Sequence, residues 1–169
     1  MKKQYIALVT AAILTCSGGS ALAEDNPGDV EKHLVTHKVA AESQFPDVKK
    51  HQSCPHCGMD REKFIYSRML ITYADGSTDG ACSIHCAATA LKTYKDKPVK
   101  SVEVADYNTK KLVNAEKAFW VIGGRKRGVM TAHGKWAFEK KEDAVAFINK
   151  NHGKLITYKE AFDSAEKEK

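Results

Sequence analysis

The sequence predicts an α+β fold made of two small ββαβ subdomains with antiparallel sheets. From Cys54 onward the chain gives the order strand, strand, helix, strand, and then repeats this order once. The strand pairs are joined by short segments, which is how neighbouring antiparallel strands connect. We place the two subdomains at residues 53–114 and 115–169.

The first copy has clear boundary signals. Strands are predicted at 64–73 and 78–81 around the turn Asp75-Gly76, where glycine accepts the positive φ of a tight hairpin. A helix is predicted to begin with Ser83 as its N-cap and to end before Pro98, because proline cannot continue a helix. The alternating pattern from Val99 to Ala105 predicts the closing strand.

The second copy follows the same order. A strand at 118–122 leads into the turn Gly123-Gly124, and a second strand is predicted between Val129 and Phe138. A helix at 141–151 carries apolar residues at helical spacing, and a last strand is predicted at 155–158. We expect the charged end, from Lys159, to form a short surface helix.

The first 23 residues read as an export signal. Lys2 and Lys3 precede an apolar stretch too short to span a bilayer, and Ala21-Leu22-Ala23 offers a cleavage site. Lipid attachment at Cys16 is an alternative, because Ile13-Leu14-Thr15-Cys16 loosely resembles the box of bacterial lipoproteins. Either route predicts a periplasmic or otherwise extracytoplasmic protein.

Residues 24–52 are polar and lack a firm apolar period, so a flexible tether is predicted there.

Loss of residues 1–23 would remove Lys2 and Lys3 from a chain of net charge +6 and leave +4. The lysines are spread along the chain, without the basic tract and stacking aromatics of nucleic-acid binding. We therefore expect no nucleic-acid partner.

Four cysteines follow the export signal, in two close pairs. Cys54 and Cys57 stand in Cys54-Pro55-His56-Cys57-Gly58-Met59, where two thiols can bind one ion from a tight turn. Cys82 and Cys86 lie at the predicted junction of strand and helix. Cys82 precedes the helix, where free backbone N–H groups favour a thiolate, so we expect it to be a ready ligand.

The nature of the ion depends on the sulfur donors. Four thiolates alone suit a structural zinc ion. Thioethers favour Cu(I), since methionine sulfur is a soft ligand that zinc does not use. Met59 adjoins Cys57, and Met130 follows the second glycine turn, where the two subdomains could close over one site; each methionine could instead fill the core.

A thiol-disulfide oxidoreductase is the rival reading, because Cys54-Pro55-His56-Cys57 is also a redox tetrapeptide of exported proteins. In thioredoxin-like folds this motif follows a hydrophobic strand and opens a long helix. Here Gly58 interrupts any helix at once, and the upstream βαβ pattern is missing. The context therefore favours metal binding.

Six segments between residues 50 and 158 stand in a specific order and spacing. They are Cys57-Gly58-Met59, Tyr73-Ala74-Asp75-Gly76, Phe119-Trp120-Val121-Ile122, Met130, Trp136-Ala137-Phe138 and Glu142-Asp143-Ala144-Val145-Ala146-Phe147. Together they resemble the NosL family of extracytoplasmic copper chaperones.

The resemblance implies two ββαβ units and Cu(I) held by a cysteine, at Cys57, and a methionine, at Met130. It also implies attachment to a membrane, frequently by a lipid, and delivery of copper to a metalloenzyme such as nitrous oxide reductase. Cys54, Cys82 and Cys86 depart from the typical member. Their thiolates could tighten Cu(I), hold a separate zinc ion, or form a disulfide.

The sequence therefore predicts a carrier of Cu(I) and not an enzyme. Its predicted ligands are Cys57 and Met130, with further sulfur from Cys54, Cys82, Cys86 and Met59. The alternatives that remain open are the oxidoreductase that uses Cys54 and Cys57 and an interaction module stapled by zinc.

Overall fold

The structure, a computed structural model, describes residues 43–168. The predicted export signal, Cys16 and most of the predicted tether lie outside the described residues. The elements in chain order are α1 (Pro46–Lys50), β1 (Met69–Tyr73), β2 (Thr78–Ala81), α2 (Ile84–Thr93), β3 (Val99–Ala105), β4 (Leu112–Asn114), β5 (Phe119–Ile122), β6 (Lys135–Phe138), α3 (Lys141–Asn151), β7 (Lys154–Ile156) and α4 (Tyr158–Lys167).

Two antiparallel sheets are formed, which confirms the predicted α+β class. The first sheet has the order β2-β1-β3-β4, and the second has the order β6-β5-β7. The elements β1, β2, α2 and β3 form one strand, strand, helix, strand unit, to whose sheet β4 is added. The elements β5, β6, α3 and β7 form the other unit. The first hairpin turns at Gly76, with φ of +81°, and sets Met69 opposite Ala81. This register fixes where the chain leaves β2, immediately before Cys82.

The main core joins elements of both halves. It includes Met69 and Ile71 of β1, Ala87 of α2 and Trp120 of β5, all fully or almost fully buried. The cysteines Cys54, Cys82 and Cys86 belong to this core as well. A smaller cluster packs α3 on the second sheet; its members are Val121, Trp136, Phe138, Ala144 and Phe147. The three buried thiols thus belong to the larger of the two cores.

Two predicted boundaries and the predicted surface helix differ in the structure. The strand predicted from Phe64 begins at Met69, because residues 61–67 form turns in which Ser67 N–H bonds to the Phe64 carbonyl. The last ten residues of the predicted tether, 43–52, include α1 and the buried Val48. The helix α4 is not a mere surface helix, since its Ala161 and Ala165 are fully buried and it packs against α2.

No helix within residues 43–168 is long and apolar enough to cross a bilayer.

Candidate metal site

Four thiols meet at one point of the main core. The Sγ atoms of Cys54, Cys57, Cys82 and Cys86 all lie within 4.8 Å of one another, and all four cysteines are free. Sγ of Cys82 is 3.4 Å from that of Cys57 and 3.7 Å from that of Cys86. Metal–sulfur bonds of 2.3 Å give a tetrahedron with edges of about 3.8 Å. The thiols therefore stand close to the spacing of a four-sulfur metal site.

The first pair is presented by a tight hairpin. Cys54 N–H donates to the Met59 carbonyl, and Gly58 N–H donates to the Cys54 carbonyl, each over 2.8 Å. Gly58 has φ of +75°, which a residue with a Cβ adopts only under strain. A bridge between Ser53 and Asp60 closes the base. This backbone folds both sulfurs to one side, as the sequence predicts.

The second pair is set by the junction of β2 and α2. Ala81 ends β2, Ser83 is the N-cap, and α2 starts at Ile84, as predicted. Cys86 lies four residues after Cys82, one helical turn further on, so both sulfurs point to the hairpin. The carbonyl of Cys82 accepts a hydrogen bond of 2.9 Å from the Ser67 hydroxyl, which fixes the junction.

The side chain of Arg61 connects the backbone segments that precede the two cysteine pairs. Its guanidinium is fully buried and donates to the carbonyl of Ala81, next to Cys82, and to that of His51, ahead of the hairpin. Asp47 of α1 accepts from Arg61 at 2.8 Å and also from Arg68 at 2.8 Å. Burial raises the pKa of Asp47, yet the hydrogen bonds and charges of Arg68 and Arg61 together lower it. The carboxylate thus remains ionised and offsets part of the charge of the two buried guanidinium groups.

The thiols differ in acidity because they bond to one another. Hydrogen bonds from Cys82 and then Cys86 lower the pKa of Cys54, and backbone N–H groups of His56 and Cys82 add to this effect. The pKa values of Cys82 and Cys86 are raised, chiefly by their bonds to Cys54 and also by burial. The Cys54 sulfur accepts hydrogen bonds from the two other buried thiols, and this arrangement favours its thiolate.

Access to the cluster is uneven. Cys54, Cys82 and Cys86 are at most 2% exposed, whereas Cys57 is only partly buried. Pro55 and Gly58 on either side of the hairpin tip are exposed. An incoming ion or a competing ligand therefore reaches the cluster beside Cys57.

The two candidate methionines have different surroundings. The Met59 Sδ lies 4.0 Å from the Cys82 Sγ and packs against the main core. Met130 is 38% exposed and has φ of +59°, in the segment between β5 and β6. Its neighbour Val129 is buried in the main core. A ligand role for either thioether stays a prediction.

The histidines next to the cysteines have other partners. His56 Nε2 donates to the Asp79 carboxylate over 3.0 Å, so the hairpin is tied to β2 three residues before Cys82. His51 Nε2 bonds to the Thr78 hydroxyl at 2.8 Å on the same strand. His85 Nδ1 donates to the Ala165 carbonyl and joins α2 to α4. Sequence reasoning missed Asp47, Arg61 and Asp79, because their partners lie 14 to 23 residues away and leave no local pattern.

We expect Asp79→Ala to weaken metal binding by about 10- to 100-fold, because groups that orient a ligand segment contribute that much. The carboxylate is buried and holds His56, the residue directly before Cys57. Competition with a chelator of known affinity measures the loss. Asp96→Ala, at an exposed position, is the control and should match wild type. Equal affinities for the two variants would contradict this role of Asp79.

The fold and the site define a small α+β protein with a four-thiol metal-binding cluster. Comparison with protein families gives a match of the NosL family to residues 45–165. The chain belongs to the NosL family, as the resemblance predicted.

A solved structure supports this placement. It is the crystal structure of the copper chaperone NosL from Shewanella denitrificans, which is 25% identical to this chain. The alignment covers 65% of this chain and 89% of that chain, with a TM-score of 0.52. Comparison with curated proteins gives no match.

Proposed function

We propose that this protein is an extracytoplasmic copper chaperone that binds Cu(I) as cargo through Cys54, Cys57, Cys82 and Cys86. The observation that carries the proposal is the convergence of four free thiols within 4.8 Å. Thiolates are soft ligands that select Cu(I) or zinc over harder cations. The name of the Shewanella denitrificans relative, a copper chaperone, supports copper.

The order in which the four thiols release Cu(I) to a recipient follows from their different exposure to solvent. A carrier must exchange its ligands with the recipient one at a time. Cys57 is partly exposed, while the other three thiols are buried. The recipient's sulfur or nitrogen ligand displaces Cys57 first, and the buried thiols retain the ion until the new bonds form. The protein thus binds and releases its cargo and is not an enzyme in this proposal.

The recipient in this proposal is an extracytoplasmic metalloenzyme such as nitrous oxide reductase. Residues 1–23 would direct export, and Cys16 would offer a lipid anchor if cleavage occurs ahead of it. Mass spectrometry of the protein from an exporting bacterial host separates the two routes. Cleavage after Ala23 gives an unmodified chain, and the anchored form begins with a diacylated Cys16.

A zinc-stapled interaction module is the second candidate. The spacings of 3.4 and 3.7 Å approach the tetrahedral edge of about 3.8 Å that zinc requires. In such a module the ion contributes to folding, and a chelator melts the structure. The oxidoreductase has less support, because Cys54 and Cys57 lie in a hairpin that leads into turns and not into a helix.

One experiment separates the candidates. Protein purified without oxygen is analysed for metals and titrated with Cu(I) and with zinc against chelators. The chaperone predicts tight Cu(I) binding and a fold that survives removal of the ion. Zinc that is retained, with unfolding by chelator, would instead support the module. Reduction of insulin that Cys54→Ala abolishes, without tight Cu(I) binding, would support the oxidoreductase.

We expect Met130→Leu to lower Cu(I) affinity by about 10-fold and to leave zinc affinity unchanged, because thioethers bind Cu(I) and not zinc. The exposed segment that carries Met130 would close over the site beside Cys57. Met59→Leu is the matched variant, since the Met59 Sδ lies 4.0 Å from Cys82. If Met130→Leu binds Cu(I) as tightly as wild type, Met130 is not a ligand, and a loss confined to Met59→Leu assigns that role to Met59.

A further inference from the structure

The loop between β5 and β6 carries a concentrated positive charge. Arg125, Lys126 and Arg127 follow one another in the segment 123–128, here called the cationic loop, and all three are exposed. Within residues 43–168, no ion pair joins any of the three to a carboxylate. The net charge of the chain is modest, so this local excess is distinctive.

The first half of the cationic loop is held in place by backbone contacts. Arg125 N–H donates to the Asn151 carbonyl at the end of α3, and Gly123 N–H donates to the Gly134 carbonyl, each over 2.8 Å. A Cβ on Gly124 would lie 2.7 Å from the Asn151 carbonyl oxygen, so the loop lies directly on the helix end. The backbone is therefore fixed up to Arg125, directly before the other two cations, which reduces the entropy lost when a partner binds.

Neighbouring residues extend the positive surface. Lys126 and Lys150 line a cavity of about 310 Å³ with Tyr107, and Asp143 is the carboxylate on its wall. The ammonium groups of Lys110 and Lys126 lie 4.8 and 5.7 Å from the centre of the Tyr107 ring. Burial lowers the pKa of Lys110, Asp106 opposes this, and the charge of Lys126 lowers it further. Two cations thus share one aromatic ring.

The cationic loop also leads into the segment that flanks the metal site in our proposal. Met130 follows Arg127 by three residues and is 38% exposed. Val129, between them, is buried in the same core as Cys54, Cys82 and Cys86. The three cations therefore lie within a few residues of the exposed Met130 thioether in the same loop.

We propose that the cationic loop, with Lys110 and Lys150, docks an acidic surface of the protein that receives the metal. This inference rests on the proposed chaperone function and names the chemistry of its partner. Complementary charge raises association rates by about 10- to 1,000-fold in weak salt. Anionic lipid is the less favoured occupant, because the concave, amide-lined wall beside Tyr107 suits side chains better than a flat bilayer.

The test uses the metal-free and the Cu(I)-loaded protein. The probes are a synthetic peptide with two methionines flanked by aspartates, the same peptide with lysines, and vesicles of phosphatidylglycerol. The variant is Arg125→Ala/Lys126→Ala/Arg127→Ala. The control, Lys92→Ala/Lys95→Ala/Lys100→Ala, removes the same charge from other exposed positions. Salt is raised from about 0.01 M to about 1 M, which shortens the screening length from about 30 to about 3 Å.

Wild type and control should bind the aspartate peptide at least about 10-fold better than the lysine peptide in weak salt, and this preference should vanish when salt is raised. The triple variant should lose this preference and keep its Cu(I) affinity. Equal preference in the triple variant and the control would overturn the inference, as would binding to vesicles in place of peptide. Peptide association is measured without metal, so a failure to bind Cu(I) at all would count against the proposed function and not against the docking surface.

Discussion

Replacement of Cys82 by serine is expected to lower the affinity for Cu(I) by at least about 100-fold. The loss of a group that merely orients a ligand costs up to this factor, and Cys82 is a proposed ligand. Its Sγ is fully buried and lies 3.4 Å from that of Cys57 and 3.7 Å from that of Cys86. Serine offers a hard hydroxyl oxygen in place of a soft thiolate. Anaerobic titration against a Cu(I) chelator measures the effect.

Thr89→Ala, on the same helix α2, is the control for this loss. The Thr89 side chain is exposed, and its hydroxyl donates to the His85 carbonyl and, within residues 43–168, bonds to no cysteine sulfur. Its removal should change the Cu(I) affinity by no more than a few-fold, and circular dichroism should show both variants folded. An affinity of Cys82→Ser within threefold of wild type would show that the thiol cluster is not the binding site.

Replacement of Asp47 by asparagine is expected to lower the free energy of unfolding by about 3–5 kcal/mol, the cost of breaking a buried ion pair. Asp47 binds the fully buried Arg61 and the almost fully buried Arg68 at 2.8 Å each. Without the carboxylate, two guanidinium charges remain in the core without compensation. Urea unfolding of wild type and variant measures the difference.

The same replacement should change the response to acid. The pKa of Asp47 is lower in the folded state than its ordinary value of 3.8, so this carboxylate contributes stability above that pH. The contribution is lost as the pH falls from 3.8 through the folded pKa. Asp47→Asn should therefore show a smaller loss of stability in acid than wild type, while the exposed Asp96→Asn should follow wild type. Parallel pH profiles for Asp47→Asn and wild type would contradict the assignment.

Regular elements could be predicted because each has a local signal. The helix α2 begins after Ser83, as its N-cap pattern indicates, and β3 matches the alternation from Val99 to Ala105. The turn at Asp75-Gly76 places β1 and β2 in register. Local signals also explain why the two cysteine pairs converge. The tight hairpin presents Cys54 and Cys57 on one side, and the start of α2 presents Cys82 and Cys86 on one side.

Features that depend on distant partners could not be predicted. The sequence around Asp47 is polar and looks like a tether, and only Arg61 and Arg68 explain its burial. The strand predicted from Phe64 starts later because Arg68 turns into the core and bonds the Ile65 carbonyl. The hydrogen bonds that link Cys54 to Cys82 and Cys86 likewise join distant parts of the chain and leave no local pattern.

The most direct test of the account is the X-ray absorption spectrum, at the copper edge, of protein loaded with one equivalent of Cu(I) without oxygen. Copper bound by the cluster of Cys54, Cys57, Cys82 and Cys86 gives a shell of sulfur neighbours alone. A shell made mainly of nitrogen or oxygen would place the ion elsewhere and contradict the account.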